Sequence, residues 1–188
     1  MGKLYDAIDG ALQSFLSAQH MFFVSTAPSG DEGHVNCSPK GLDTFRILGP
    51  TTVAYLDFAG SGVETIAHLR QNGRIVMMFC AFDGAPRIVR LHGRGTVIEA
   101  TEREFDTLAE HFPDARHPGA RAIIRVEVTR IADSCGFGVP LYRYEGQREQ
   151  LPLWAGRKSP EAMRTYQRTK NAASIDGIEG LEWVAKER

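Results

Sequence analysis

Cysteine is scarce in this chain of 188 residues. Cys37, Cys80 and Cys135 are the only three, an odd number with no spacing that resembles a zinc site. A disulfide-built scaffold and a structural zinc are therefore excluded, and each thiol is expected to be buried, inert and reduced, as in the cytoplasm. Long apolar runs are also missing: no stretch approaches the ~20 residues a membrane helix needs. Lys3, Asp6 and Asp9 interrupt the early apolar residues, so a signal peptide is not expected. No charge of one sign dominates, with 22 basic against 23 acidic residues. A general nucleic-acid binder would show a basic domain, so no nucleic-acid partner is expected. A small anion needs only a few local donors and is not excluded.

Several chemical motifs are absent as well. There is no G-x-x-x-x-G-K-[ST] loop, no G-x-G-x-x-G between strand and helix, and no G-x-S-x-G elbow. The six histidines make no H-E-x-x-H or other metal spacing, so no metal is expected. Paired-carboxylate chemistry has no signature; Glu102 and Glu104 read as residues of a helix start. These absences leave no catalytic side chain assigned.

What is present suits one domain over residues 1–188, with an apolar fraction of 43% and an irregular C-terminal extension from about residue 136. Leu4, Ile8, Leu12, Phe15 and Leu16 share one face at helical spacing, which predicts a helix over 3–19. "MFFVST" and "HVNCS" flank a turn-rich stretch and predict a hairpin. "TTVAYLDF" (51–58) predicts a strand, followed by a Gly60-Ser61-Gly62 turn and a helix ending at Asn72-Gly73. "RIVMMFCAF" reads as a fully buried strand. "RIVRLHGRGTVIEA" reads as a long strand, bent or bulged at Gly93 and Gly95. Thr101 with Glu104 has a capping-box pattern for the next helix, which stops before Pro113. Residues 121–135 predict a strand whose wet face carries Arg125, Glu127 and Thr129, and a short helix is expected near 160–170. About six strands without alternating βα units predict a mainly β, antiparallel barrel with peripheral helices.

Two stretches suggest anion binding. In "HVNCSPKG" (34–41) a proline and a glycine bracket Lys40 at a strand end, fixing its place on the chain. In "GSGVET" (60–65) glycines and the hydroxyls of Ser61 and Thr65 stand at a helix N-terminus, where free N–H groups and the helix dipole favour a phosphate. Arg87, opening the long strand after Pro86, is a third candidate cation. Each of these also reads as an ordinary cap or solvated charge. His34 reads equally as a residue approaching a ligand and as a surface residue, His92 as a core or barrel-mouth residue, Cys37 as a strand thiol near Lys40, and "SIDG" (174–177) as a surface turn. Trp154, among apolar and proline residues, offers an indole for a planar ring or a subunit contact.

The order of features — helix, hairpin ending "SPKG", "VAYLDF", "GSGVETIAHLRQNGRIVMMF", then "PRIVRLHGRG" — resembles the pyridoxamine 5′-phosphate oxidase-like, FMN-binding split-barrel family. The tail pieces "SCGFGVPLY" and "NAASIDGIEGL" are similar to a subgroup of flavoprotein-like members. The resemblance implies an antiparallel split β-barrel, a homodimer, and FMN in a groove between its two subunits. Carried over by position, it implies that Lys40 lies near the flavin and that Ser61, Gly62 and Thr65 form the phosphate turn. Arg87 would fall at or beside a position facing the flavin ring. Asn36, Ser38, Tyr55 and Asp57 would border the cofactor, with Gly41 shaping the strand exit; Trp154 joins these expected cofactor-binding residues through its indole. The family's oxidases carry a Ser-Arg-Lys type run where this chain has Val63, Glu64 and Thr65. Compensating charge is expected from Lys40, Arg87 or the other subunit. The arginine–histidine substrate motif of those oxidases is not evident, so pyridoxamine phosphate oxidation is not the expected activity. The implied function is an FMN-dependent oxidoreductase acting on a small molecule. The alternative is a non-catalytic holder of a flavin, haem or deazaflavin, with His20, His34 or His92 as residues to test for haem.

Overall fold

The computed structural model describes residues 2–187. Eight strands form one antiparallel sheet among these residues: β1 (Leu4–Tyr5), β2 (Phe22–Thr26), β3 (Asn36–Lys40), β4 (Phe45–Ile47), β5 (Thr52–Phe58), β6 (Arg74–Cys80), β7 (Ile88–Glu99) and β8 (Ala120–Ser134). Their order is β3-β2-β6-β7-β8-β5-β4, with β1 added to β8. The sheet curls into the antiparallel barrel that the strands predicted, in the split form that the family resemblance implied. Helices α1 (Gly10–Ser17), α2 (Glu64–Asn72), α3 (Arg103–Ala109), α4 (Gln150–Gly156), α5 (Pro160–Lys170) and α6 (Glu182–Lys186) lie around it.

The barrel interior is apolar. Val24, Tyr55, Met77, Phe79, Leu91, Ile124 and Val126 face one another there, with Leu12 and Leu16 of α1 and Ile66 of α2 closing it. A second cluster covers the opposite face of β5 and β8, where Leu56 and Ile123 meet Phe105 and Phe112 around α3. The central part of β8 is thus buried on both faces. Gly93 sits at a register shift in the β7–β8 pairing, and a Cβ there would collide with the Glu127 carbonyl, so the bend needs a bare backbone.

The differences from the sequence reading are local. The helix expected over 3–19 is the short strand β1 followed by α1, because Asp9 caps the helix by accepting from the Leu12 N–H at 2.8 Å. Thr101 is not the cap of α3. Glu102 takes that place, and its carboxylate reaches back to the Glu99 N–H at 2.8 Å. Strands β1 and β4, two and three residues long, escape a periodicity argument, and so does α4, which has a proline in its first turn. Cys80 is buried as expected, but Cys37 and Cys135 are exposed. Cys37 points away from the face that β3 turns inward.

One buried carboxylate helps to bind the tail to the barrel. Glu99 accepts from the backbone N–H groups of Glu182 (2.6 Å) and Trp183 (3.2 Å), the first residues of α6, and pairs with Arg70. A negative charge at a helix start satisfies its open donors.

Candidate anion-binding site

Asn36, Ser38 and Lys40 lie on one face of β3, alternating with Cys37 and Pro39. The proline is tolerated because β3 ends the sheet and pairs only with β2, so the missing N–H breaks no second ladder. At Gly41 a Cβ would stand 2.9 Å from Gln147 Oε1. The glycine lets that oxygen accept from the Leu42 N–H at 3.1 Å. Leu42 and Asp43 then turn the chain with positive φ of 60° and 52°. That conformation costs about 1–2 kcal/mol per non-glycine residue and marks a turn held by its surroundings.

Facing β3 is the turn from β5 into α2. Val63, at the N-cap of α2, has no side-chain oxygen, so the first N–H groups of the helix remain open at the positive end of its dipole. Gly60 does not take a positive φ, and a Cβ there would meet nothing within 4 Å. Neither strain nor packing requires a glycine; its effect is to present bare backbone to the cleft it lines. Between the two walls lies a cleft of about 380 Å³, bordered by Asn36, Ser38, Lys40, Gly41, Ser61, Gly62, Glu64, Thr65 and Arg121. A hydrogen-bond chain joins the walls: Ser38 Oγ donates to Asn36 Oδ1 (3.0 Å), and Asn36 Nδ2 donates to Thr65 Oγ1 (3.0 Å).

The charge sits on the floor. Asp57 is fully buried. Its Oδ1 accepts from Lys40 Nζ at 2.6 Å and its Oδ2 from Arg121 Nε at 2.7 Å. Arg121 also donates through Nη1 to the Gly62 carbonyl at 2.9 Å, tying floor to turn. Burial pushes the Asp57 carboxyl up, but the charges of Arg121 and Lys40 and their hydrogen bonds outweigh it and hold its pKa at about 2. One carboxylate thus orients two cations, and the one positive charge left over from this trio stands opposite the Glu64 carboxylate at the start of α2. The Tyr55 hydroxyl lies behind this group, buried and without a well-formed hydrogen bond. Burial first, then the Asp57 charge, keeps it protonated well above the ordinary range.

Of the residues picked out in the sequence, seven line the cleft, namely Asn36, Ser38, Lys40, Gly41, Ser61, Gly62 and Thr65. Asp57 and Tyr55 stand beneath or behind it. Two are not brought there by this chain. Arg87 donates from Nη2 to the Tyr5 hydroxyl (2.8 Å) and to Asp133 (3.2 Å), with its guanidinium 4.9 Å from the Phe15 ring centre. Trp154 packs edge-on to Tyr166 at 4.8 Å under Lys158. Its cluster contains Ala59 and so braces the β5–α2 turn from behind.

Arg121 was missed. It opens β8 in an alternating pattern that marks its face as wet, and only the second apolar cluster buries that face. Glu64 was noted as a lost positive charge. Here one of its oxygens lies over Gly62 while the other accepts from the Ile175 N–H at 3.3 Å. His34 and the "SIDG" turn, read separately, meet: Asp176 accepts from the His34 backbone at 2.8 Å and from its Nδ1 at 2.6 Å. His20 stacks on Tyr144, and His92 lies within β7. No group of three His, Cys, Asp or Glu converges in metal-holding geometry among the described residues.

Comparison with known proteins places the chain in a family. The family model described as pyridoxamine 5′-phosphate oxidase matches residues 8–135. The pyridoxamine 5′-phosphate oxidase family protein ustO of Aspergillus flavus is 38% identical over 203 aligned positions, spanning all of this chain and 81% of that protein. HupZ of Group A Streptococcus superposes with a TM-score of 0.53 at 20% identity, covering 66% of this chain and 91% of that one. The conserved hypothetical protein Rv2991 of Mycobacterium tuberculosis reaches 0.50 at 15% identity, covering 74% and 92%. At these identities the two structures speak to the fold alone. With a family model over most of its length and a relative matched along all of it, the chain belongs to the pyridoxamine 5′-phosphate oxidase family.

Proposed function

We propose that this protein is a flavin-dependent oxidoreductase that holds FMN by its phosphate in the cleft between β3 and the start of α2. The observation that carries the reading is the buried Asp57, which orients Lys40 and Arg121 toward the uncapped end of α2. An unligated surface would not need a carboxylate fully removed from water to align two cations. The donor set suits a phosphate monoester: two cations, the hydroxyls of Ser38, Ser61 and Thr65, and backbone N–H groups. Arg121 takes the part of the basic residues that Val63, Glu64 and Thr65 do not supply. Family membership supports a flavin as the group that carries the phosphate.

When bound, the flavin supplies hydride or electron transfer, and the chain's residues grip and orient it. A second copy of the chain completes the groove around the ring, in the homodimer expected for this family. The test is titration of the apoprotein with FMN and with riboflavin, which lacks the phosphate. FMN is expected to bind at least about tenfold tighter, the scale of one charge-assisted hydrogen bond or more. A colourless protein that ignores FMN, or one that holds riboflavin equally well, overturns the reading. Bleaching of the bound flavin by a reduced nicotinamide, with recovery in air, separates an enzyme from a flavin store.

A further inference from the structure

A second cleft, of about 530 Å³, adjoins the first and shares Pro39, Lys40, Gly41, Leu42 and Leu151 with it. Its size falls within the range of small-molecule sites. Its outer wall is the segment 140–149, which has neither helix nor strand. This strap is held to the body by few polar links. Gln147 accepts from the Leu42 N–H and donates to the His20 carbonyl at 3.0 Å, and the Tyr142 N–H donates to the Phe82 carbonyl at 2.8 Å.

The remaining contacts are flat aromatic faces. Tyr144 stacks on His20 with ring centres 3.6 Å apart and planes 11° apart, and Tyr142 stacks on Phe82 at 5.5 Å and 24°. In each pair one ring comes from the strap and one from the barrel. Yet Tyr142 and Tyr144 remain 64% and 49% exposed. A chain that leaves such rings half in water gains free energy when another flat ring covers them. Charges of both signs line the cleft: Arg143 and Arg148, with Lys40 already paired to Asp57, and Asp83 and Glu145. Arg143 and Arg148 make no ion pair among the described residues, so both remain available to an anion.

We propose that the cleft under the strap binds a small planar aromatic anion, which slots against Tyr144 and is held by Arg143 and Arg148. Its contact with Lys40 and Leu42 brings it against whatever occupies the first cleft. As the substrate's seat it rests on the flavin reading; as a binding site it stands by itself.

The test uses 2-naphthoate, followed by calorimetry on the FMN-loaded protein, with cyclohexanecarboxylate (same charge, no flat ring) and 2-naphthol (flat ring, no charge at neutral pH) as controls. Naphthoate is expected to bind at least about threefold tighter than either control. Tyr144→Ala should weaken naphthoate about fivefold, and Arg143→Gln combined with Arg148→Gln about threefold, with FMN affinity unchanged in both. Equal binding of the three compounds, or undiminished naphthoate binding by both variants, overturns the proposal. So does a Tyr144→Ala protein that fails to dimerise while the parent ignores naphthoate, because the strap is then a subunit contact. Naphthoate binding by a protein that ignores FMN would fell the flavin reading alone.

Discussion

Two polar clusters in this molecule are built from the same residue types and do opposite things. In one, Asp57 joins Lys40 and Arg121 in front of Tyr55; in the other, Asp133 joins Arg87, Tyr5 and the Lys3 backbone N–H. The second is closed on itself. Tyr5 donates to Asp133 at 2.7 Å, Arg87 bridges the two, and Phe15 and Tyr5 cover the guanidinium. It fastens β1 to β8 and β7 at a partly wet surface, where such a pair contributes about 0–1 kcal/mol. The first is buried beneath a cleft, and its carboxylate is shared by two cations. The comparison teaches that an arginine's neighbours decide its role: Arg87 is consumed by contacts at a partly wet surface, whereas Arg121, itself buried, lines the cleft and bonds only through Nε and Nη1.

Substitutions can break or sharpen that contrast. The largest effect is expected from Asp57→Asn, which leaves two cations beneath the cleft without their counter-charge and should cost about 3–5 kcal/mol in urea unfolding. Asp133→Asn should cost about 1 kcal/mol or less. Equal losses would erase the distinction. Next, Arg121→Gln should weaken FMN binding about tenfold or more, while Arg87→Gln changes it less than about twofold. The reverse ranking would return the phosphate to Arg87. Glu64→Gln removes the negative charge that hangs over Gly62 and should tighten FMN by about two- to fivefold in the same titration.

A separate effect is one of pH. The Asp57 pKa falls from an ordinary 3.8 to about 2 on folding, so its stabilisation is fully present above 3.8 and is lost as pH drops through 2. Stability measured between pH 4 and pH 2 should therefore fall more steeply in the parent than in Asp57→Asn. His68 adds a separate acid sensitivity. Burial first lowers its pKa from 6.5 against the pull of Asp176 and Glu64, so stability should begin to fall as pH drops below 6.5. His68→Gln should flatten that portion of the curve.

Much of the first cleft was legible in the chain. "SPKG" and "GSGVET" were each read as ends of elements aimed at an anion, and both line it. Their local chemistry is self-contained: a proline-bracketed lysine and an uncapped helix start carry their meaning within a few residues. Arg121 carried none, because an arginine in an alternating strand belongs to a wet face until something covers that face. The contacts of Arg87 within this chain were illegible for the matching reason, since its partners Tyr5 and Asp133 lie 82 and 46 residues away. The strap was visible only as irregular sequence, and its aromatic pairs with His20 and Phe82 join residues that no periodicity connects.

By itself the sequence determined the longer strands, most of the helices and the two ends that face the cleft, since alternation, turn residues and caps act over neighbours in the chain. Only the tertiary structure decided which charges converge. Pairing β5 with β8 sets Asp57 opposite Ala122, next to Arg121, and the curl of the sheet brings Lys40 to its other oxygen. The worth of a charge depends on burial and distance, and neither exists until the barrel has closed.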